Sequence, residues 1–202
     1  MGEVNHLSVW QSFKQGDWNA YTLLYNTYFG PLNNYGYKFC RDSDLIEDTI
    51  HDLFVRLWTT KEKLSNPVSI KNYIYKSFRN ILFRKMKTEG KYTGISAEEY
   101  PFGFEVSYNS EALTRIEDRE IREKVKAIIK TLPPRQQEII FLRFYEGLSY
   151  EEIADIMGIS ISSTYKLFYK AISNLQNTIE SSSLLTILFC LKSFIIFFPG
   201  KG

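Results

Sequence analysis

Residues Ser149–Gln176, SYEEIADIMGISISSTYKLFYKAISNLQ, constrain this chain more than any other stretch, because every local signal in them specifies two short helices joined by a tight turn. Ser149, followed three residues later by Glu152, is a capping box that starts the first helix. Ile153, Ala154 and Met157 make its inner face, and the small Ala154 lets a second helix cross closely. Gly158 supplies the positive φ of the turn, Ile159 plugs the angle between the helices, and Ser160 caps the second helix. The inner face of that helix is Thr164, Leu167, Phe168, Ala171 and Leu175, which leaves Ser162, Ser163, Tyr165, Lys166, Tyr169 and Lys170 outward. A hairpin of an ordinary α-bundle shares single features of this pattern. Here capping, glycine and both apolar stripes agree throughout, and hydroxyls, phenols and lysines suit a helix that enters a major groove.

The rest of the chain reads as helix too, and an all-α protein is predicted. At 202 residues, 44% of them hydrophobic, the chain can form one domain or two small ones, each large enough for its own core. The net charge is only +2, but it is unevenly spread. Residues 1–87 carry 12 basic and 8 acidic side chains, 88–120 carry 3 and 8, and 121–202 carry 10 and 7. Two mildly basic modules therefore flank an acidic connector. Within the first, 71–87 holds six basic residues and no acid, which favours a polyanion partner.

The N-terminal module divides into a helix over 6–15, a longer one over 17–40 that Pro31 bends or breaks, and a third over Ser43–Thr60 with Ser43 as its N-cap. Ile46, Ile50, Leu53, Phe54 and Leu57 form the inner stripe of the third. The loop 61–69, KEKLSNPVS, ends it, and a basic aromatic helix, Ile70–Lys87, follows. Residues 88–110 read as an acidic flexible linker. Glu111–Thr131 reads as a helix stopped by Leu132-Pro133-Pro134, and a further helix runs from Pro134 to about Tyr145. Beyond 181 lies an apolar tail whose fifteen residues LLTILFCLKSFIIFF make only about 22 Å of helix, short of a roughly 30 Å bilayer core. Packing on the C-terminal module, docking on a partner and lying at a membrane surface all remain open for it.

Cys40 and Cys190 have no Cys or His neighbours at metal-ligand spacing, and His6 and His51 are isolated, so no metal site is predicted. No nucleophile–base pair or phosphate-cradling glycine loop stands out, and neither an enzyme nor a cofactor is expected. The absence of a signal peptide and of paired cysteines predicts a cytoplasmic protein.

Taken together, the acidic-faced helix, the basic aromatic helix, the acidic linker and the C-terminal helix-turn-helix resemble the extracytoplasmic-function group of bacterial sigma-70 family sigma factors, over about residues 15–180. The resemblance implies a domain two at 6–87, a linker at 88–110 and a domain four at 111–180, with the tail 181–202 outside it. The stretch LPPRQQEIIFLRFYEGLSYEEIADIMGISISSTYKLFYKAISNL looks like domain four, which reads the promoter −35 element. By position Arg135, Ser162, Ser163, Tyr165, Lys166, Tyr169 and Lys170 are its DNA-facing residues. DLIEDTIHDLFVRLW resembles the helix that grips the clamp coiled coil of core RNA polymerase, through Asp44, Glu47, Asp48, His51, Asp52 and Arg56.

NPVSIKNYIYKSFRNILFRKMK looks like the part that melts and holds the −10 element. Its loop, with Lys63, Ser65, Asn66 and Ser69, is expected to hold the base pocket. Lys71, Asn72, Tyr75, Lys76, Arg79 and Asn80 are expected to line the strand path, while some of Tyr73, Phe78 and Phe83 belong to the core. The partners implied are core polymerase, promoter DNA and an anti-sigma factor, often a membrane protein; no small-molecule substrate is implied. The alternative of another class is an ordinary helix-turn-helix regulator with an N-terminal sensing domain, against which the pairing of acidic and basic aromatic helices argues.

Overall fold

The computed structural model of the chain describes residues 6–88, 100–103 and 127–178, which fall into two units divided at Ile95/Ser96. All regular elements among the described residues are helices. The helix expected over Glu111–Thr131 is described only at 127–130, and the apolar tail lies outside the described residues.

The N-terminal unit holds α1 (His6–Lys14), α2 (Trp18–Tyr37), α3 (Ser43–Thr60) and α4 (Ile70–Thr88). Gly16, at φ +89°, turns the chain out of α1, with Gly16 N–H donating to Phe13 O and Asp17 N–H to Ser12 O. Asp17 then caps α2, its carboxylate accepting from the Asn19 and Ala20 amides at 2.8 and 3.4 Å.

Pro31 does not break α2, which is continuous from Trp18 to Tyr37. The proline ring removes one N–H from the ladder, and Leu32, Tyr35 and Gly36 beyond it are buried, so packing holds the turn together. A second correction concerns α3: its N-cap is Asp42, whose carboxylate accepts from the Leu45 amide at 3.0 Å, and Ser43 is the first helical residue. The expected inner stripe is otherwise in place. Ile46, Ile50, Leu53, Phe54 and Leu57 are at most 3% exposed, each contributing about 1.5–3 kcal/mol relative to an exposed side chain.

In the C-terminal unit, 127–130 closes a helix, with Thr131 and Leu132 bonding back to Ile128 and Ile129. The buried Gln137 side chain donates to the Leu132 carbonyl at 2.7 Å, satisfying a group at that helix end. Next, α5 (Pro134–Ile140) runs into a π-helical turn, Phe141–Tyr145, and α6 (Tyr150–Met157) and α7 (Ile161–Thr178) complete the unit. Pro134 sits at the first helical position of α5, where a missing N–H costs nothing. Tyr100 and Phe102, assigned by sequence to the linker, are buried here: the Tyr100 hydroxyl donates to the Glu138 carboxylate, and Phe102 lies 6.0 Å from Phe141. A tyrosine and a phenylalanine at this spacing remove enough apolar surface from water to dock four residues of an otherwise polar segment.

Candidate nucleic-acid interface

The helix-turn-helix forms as its sequence specifies. Ser149 Oγ accepts from the Glu152 amide at 3.2 Å while Glu152 accepts from the Ser149 amide at 2.8 Å, a closed capping box that adds about 1 kcal/mol. Gly158 stands at φ 65°, ψ 38°, and Ser160 Oγ accepts from the Ser163 amide at 3.1 Å to begin α7. Thr164, Phe168, Ala171 and Leu175 are buried and Leu167 is half-buried. Ser162, Ser163, Tyr165, Lys166, Tyr169 and Lys170 are all exposed on the other side.

Two details refine that face. The Ser163 hydroxyl lies 2.8 Å from that of Ser160, so part of its bonding capacity serves the cap. Tyr165 is packed against Tyr150 at 4.4 Å between ring centroids, with the Arg143 guanidinium 4.9 Å from the Tyr150 ring. Burial raises the Tyr150 phenol pKa, an effect that Arg143 partly opposes. Arg135, in the first turn of α5, is half-buried, with its Nε covered and lacking a hydrogen-bond partner among the described residues.

In the N-terminal unit, α4 departs from expectation. Of the six positions proposed for the strand path, Asn80 is exposed and Lys71, Asn72 and Lys76 are half-buried. Tyr75 and Arg79 are buried, at 0% and 7% exposure, and do not present a surface to DNA. Both lie on the side of α4 that carries Phe78, Leu82 and Met86. Tyr75 packs 5.4 Å from Tyr35, and the Arg79 guanidinium lies 4.2 Å from the Phe83 ring and 6.0 Å from that of Phe39, where cation–π attraction offsets its desolvation. The exposed residues of α4 before Lys87 are Asn80 and Arg84, and the half-buried Tyr73 and Ser77 share their face. With Arg56 and Thr60 of α3 they line a groove of about 200 Å³. Arg84 belongs to the basic run 71–87, and Ser77 and Tyr73 are recovered by following the 3.6-residue period from Asn80.

The loop before α4 is braced from α1. Trp10 Nε1 donates to the Ser65 carbonyl at 3.1 Å and Lys14 Nζ to Asn66 Oδ1 at 3.2 Å, while the Trp10 ring meets Tyr73 edge-on at 5.7 Å. Lys63, Ser65 and Asn66 remain exposed. Ser69 serves as a cap, its Oγ accepting from the Asn72 amide at 3.2 Å. No sequence pattern pointed to α1 as support for this loop, because the contact spans more than fifty residues.

On α3, Asp44, Glu47, Asp48, His51, Asp52 and Arg56 are exposed along one face, as expected. Asp52 is tied at 2.6 Å to Lys85 of α4. Arg56 turns into the groove that holds Asn80, so residues assigned to polymerase and to DNA meet at one place.

Comparison with known proteins agrees with this arrangement. The family model described as "Sigma-70, region 4" matches residues 122–175, which include the helix-turn-helix. The chain is 23% identical over 173 residues to the ECF RNA polymerase sigma-E factor of Haemophilus influenzae, covering 83% of this chain and 91% of that protein. It is 22% identical, again over 173 residues, to the sigma-E factor of Escherichia coli K12, covering 83% and 90%. The solved structure of CnrH in complex with the cytosolic domain of CnrY superposes with a TM-score of 0.56 at 16% identity, covering 85% of this chain and 95% of that one, and so shares the fold. With sigma-E factors aligned over nearly their whole length and region 4 matched over most of α6 and α7, the chain is similar to the extracytoplasmic-function group of sigma-70 family sigma factors, and these matches support its placement there.

Proposed function

We propose that this chain is an alternative sigma factor that binds core RNA polymerase and selects promoters by reading a −35 element with α7 and a −10 element with α4 and the loop before it. The observation that carries this reading is the exposed face of α7. A fully capped helix-turn-helix presents Ser162, Tyr165, Lys166, Tyr169 and Lys170 together, with the inner side of the helix closed by core packing. Lysines fix register on phosphates, and hydroxyls and rings meet base edges. In the other unit, the Asn80 face and the braced loop 63–66 are suited to an opened strand, where stacking and phosphate contacts capture unpaired bases at about 1–3 kcal/mol per stacked base. The acidic face of α3, centred on Glu47 and Asp48, is the proposed polymerase contact, and it complements a basic surface. Polymerase carries out the chemistry; this chain supplies specificity and acts in the cytoplasm without a cofactor. CnrH is seen bound to the cytosolic domain of CnrY, and a comparable protein partner, an anti-sigma factor, is proposed here.

Reconstitution tests the reading. Purified chain added to core polymerase is expected to co-purify with it and to give start-site-specific transcripts. If the chain instead binds duplex operator DNA as a dimer and ignores core polymerase, it acts as a free-standing regulator and the proposal fails.

A further inference from the structure

All the large hydrophobic side chains left exposed among the described residues of the C-terminal unit fall in one row on α7: Ile161 at 47%, Tyr165 at 37% and Tyr169 at 64%. Spacing of four residues places them one above another along the helix. A helix face that meets only water has no reason to carry such a row; grouped exposed apolar surface marks a contact. Lys166 and Lys170 beside the row supply charge for a phosphate backbone. The central ring is also held in place, because Tyr150 packs on it at 4.4 Å and is itself fixed by Phe168 at 5.3 Å and Arg143 at 4.9 Å.

Among base edges in the major groove, the only apolar group is the C5-methyl of thymine. Of the two side chains that read guanine in a bidentate manner, α7 contains no arginine, and its lysines, Lys166 and Lys170, flank the apolar row rather than forming it. We infer that Ile161, Tyr165 and Tyr169 select thymine methyl groups in the −35 element, with Tyr150 as the positioning residue that fixes the Tyr165 ring. The inference rests on the proposed role of α7 in reading that element. Residues four apart lie about 6 Å apart along a helix, close to the roughly 6.8 Å of two base steps. Thymines about two steps apart are therefore the expected pattern.

The test uses holoenzyme assembled from the full chain and core polymerase, with promoter duplexes taken from start sites mapped after overexpression. Their −35 elements are expected to contain thymines. Replacing one such thymine by deoxyuracil removes the methyl and keeps every hydrogen-bonding group, and it should weaken binding about fourfold. Holoenzyme carrying Ile161→Ser or Tyr165→Ser should bind the thymine and deoxyuracil duplexes alike at the position it has ceased to read. Tyr150→Ala should lose part of the discrimination and Tyr150→Phe should keep it, a rescue that a simple loss of folding would not give. Equal binding of both duplexes by the unsubstituted holoenzyme, or −35 elements without thymine, overturns the inference while leaving the −35 role of α7 intact. If no start-site-specific transcript forms on any template, the sigma reading falls and this inference falls with it.

Discussion

Lys85 of α4 and Asp52 of α3 form an ion pair of 2.6 Å, so one carboxylate on the face proposed to meet polymerase is already engaged within the protein. The pair is partly exposed, which limits its stabilising effect to about 1 kcal/mol or less. Asp48, one turn earlier on the same face, is exposed. Asp48→Arg is therefore expected to weaken binding to core polymerase at least tenfold, and Asp52→Asn much less. Titration of labelled chain with core polymerase measures both, and a larger effect for Asp52→Asn would contradict this ranking.

The two units proposed to read the promoter should fail separately. Lys166→Glu reverses a charge on the exposed face of α7 and should reduce −35-dependent transcription several-fold while leaving polymerase binding unchanged. Asp48→Arg should do the reverse. In vitro transcription and co-purification, run on both variants, distinguish the two defects; the same defect in both would show that the division of labour is wrong.

Gly36 of α2 lies close against Ile46 of α3 and Phe78 of α4. A Cβ there would lie 2.7 Å from Ile46 Cγ2 and 3.1 Å from Phe78 Cζ, both in side chains that are fully buried. Gly36→Ala should destabilise the N-terminal unit by about 1–3 kcal/mol, since the neighbours have no free space into which to move. Urea unfolding followed by tryptophan fluorescence measures the loss, and unchanged or increased stability would refute the close approach as described.

Such a close approach is not written in local sequence, and that marks the limit of what the chain discloses on its own. The capping box at Ser149, the turn at Gly158 and the stripes of α3 and α7 depend on neighbours within about four residues, and all were legible. Tyr75 and Arg79 misled because amphipathic side chains can either face solvent or fill a core. Arg79 fills one by lying over Phe83 and Phe39, and Phe39 belongs to a distant stretch. The bond from Trp10 to Ser65, the docking of Tyr100 on Glu138 and the close approach of Gly36 to Ile46 likewise depend on how elements meet. Periodicity shows that a face is buried; it does not show what buries it.

Burial pushes the Tyr28 phenol up to about 12. An unfolded tyrosine ionises near pH 10. Because the folded value is the higher one, the contribution of Tyr28 to stability is intact below about pH 10 and is lost as the pH rises through about 12. Unfolding free energy measured across that window should fall, and Tyr28→Phe should remove part of the slope. Tyr145, also raised by burial, accounts for a further share. A slope unaltered by Tyr28→Phe would mean that the ring is more exposed to water than its packing indicates.

Asn80 and Arg79 are adjacent in sequence and about 100° apart around α4, one exposed and the other buried, which gives the sharpest test of the proposed −10 surface. Asn80 is exposed and lines the groove with Ser77, Arg84 and Arg56, so Asn80→Ala should change stability by no more than about 0.5 kcal/mol. It should nonetheless slow promoter opening, read as permanganate reactivity of unpaired thymines near the start site. Arg79→Ala removes a guanidinium held over Phe83, together with the packing of its methylene chain. That loss should cost about 2 kcal/mol of stability, lower the thermal midpoint, and impair opening only near that midpoint. If Arg79→Ala instead blocks opening at full thermal stability while Asn80→Ala is silent, the DNA-facing side of α4 is the one assigned here to the core.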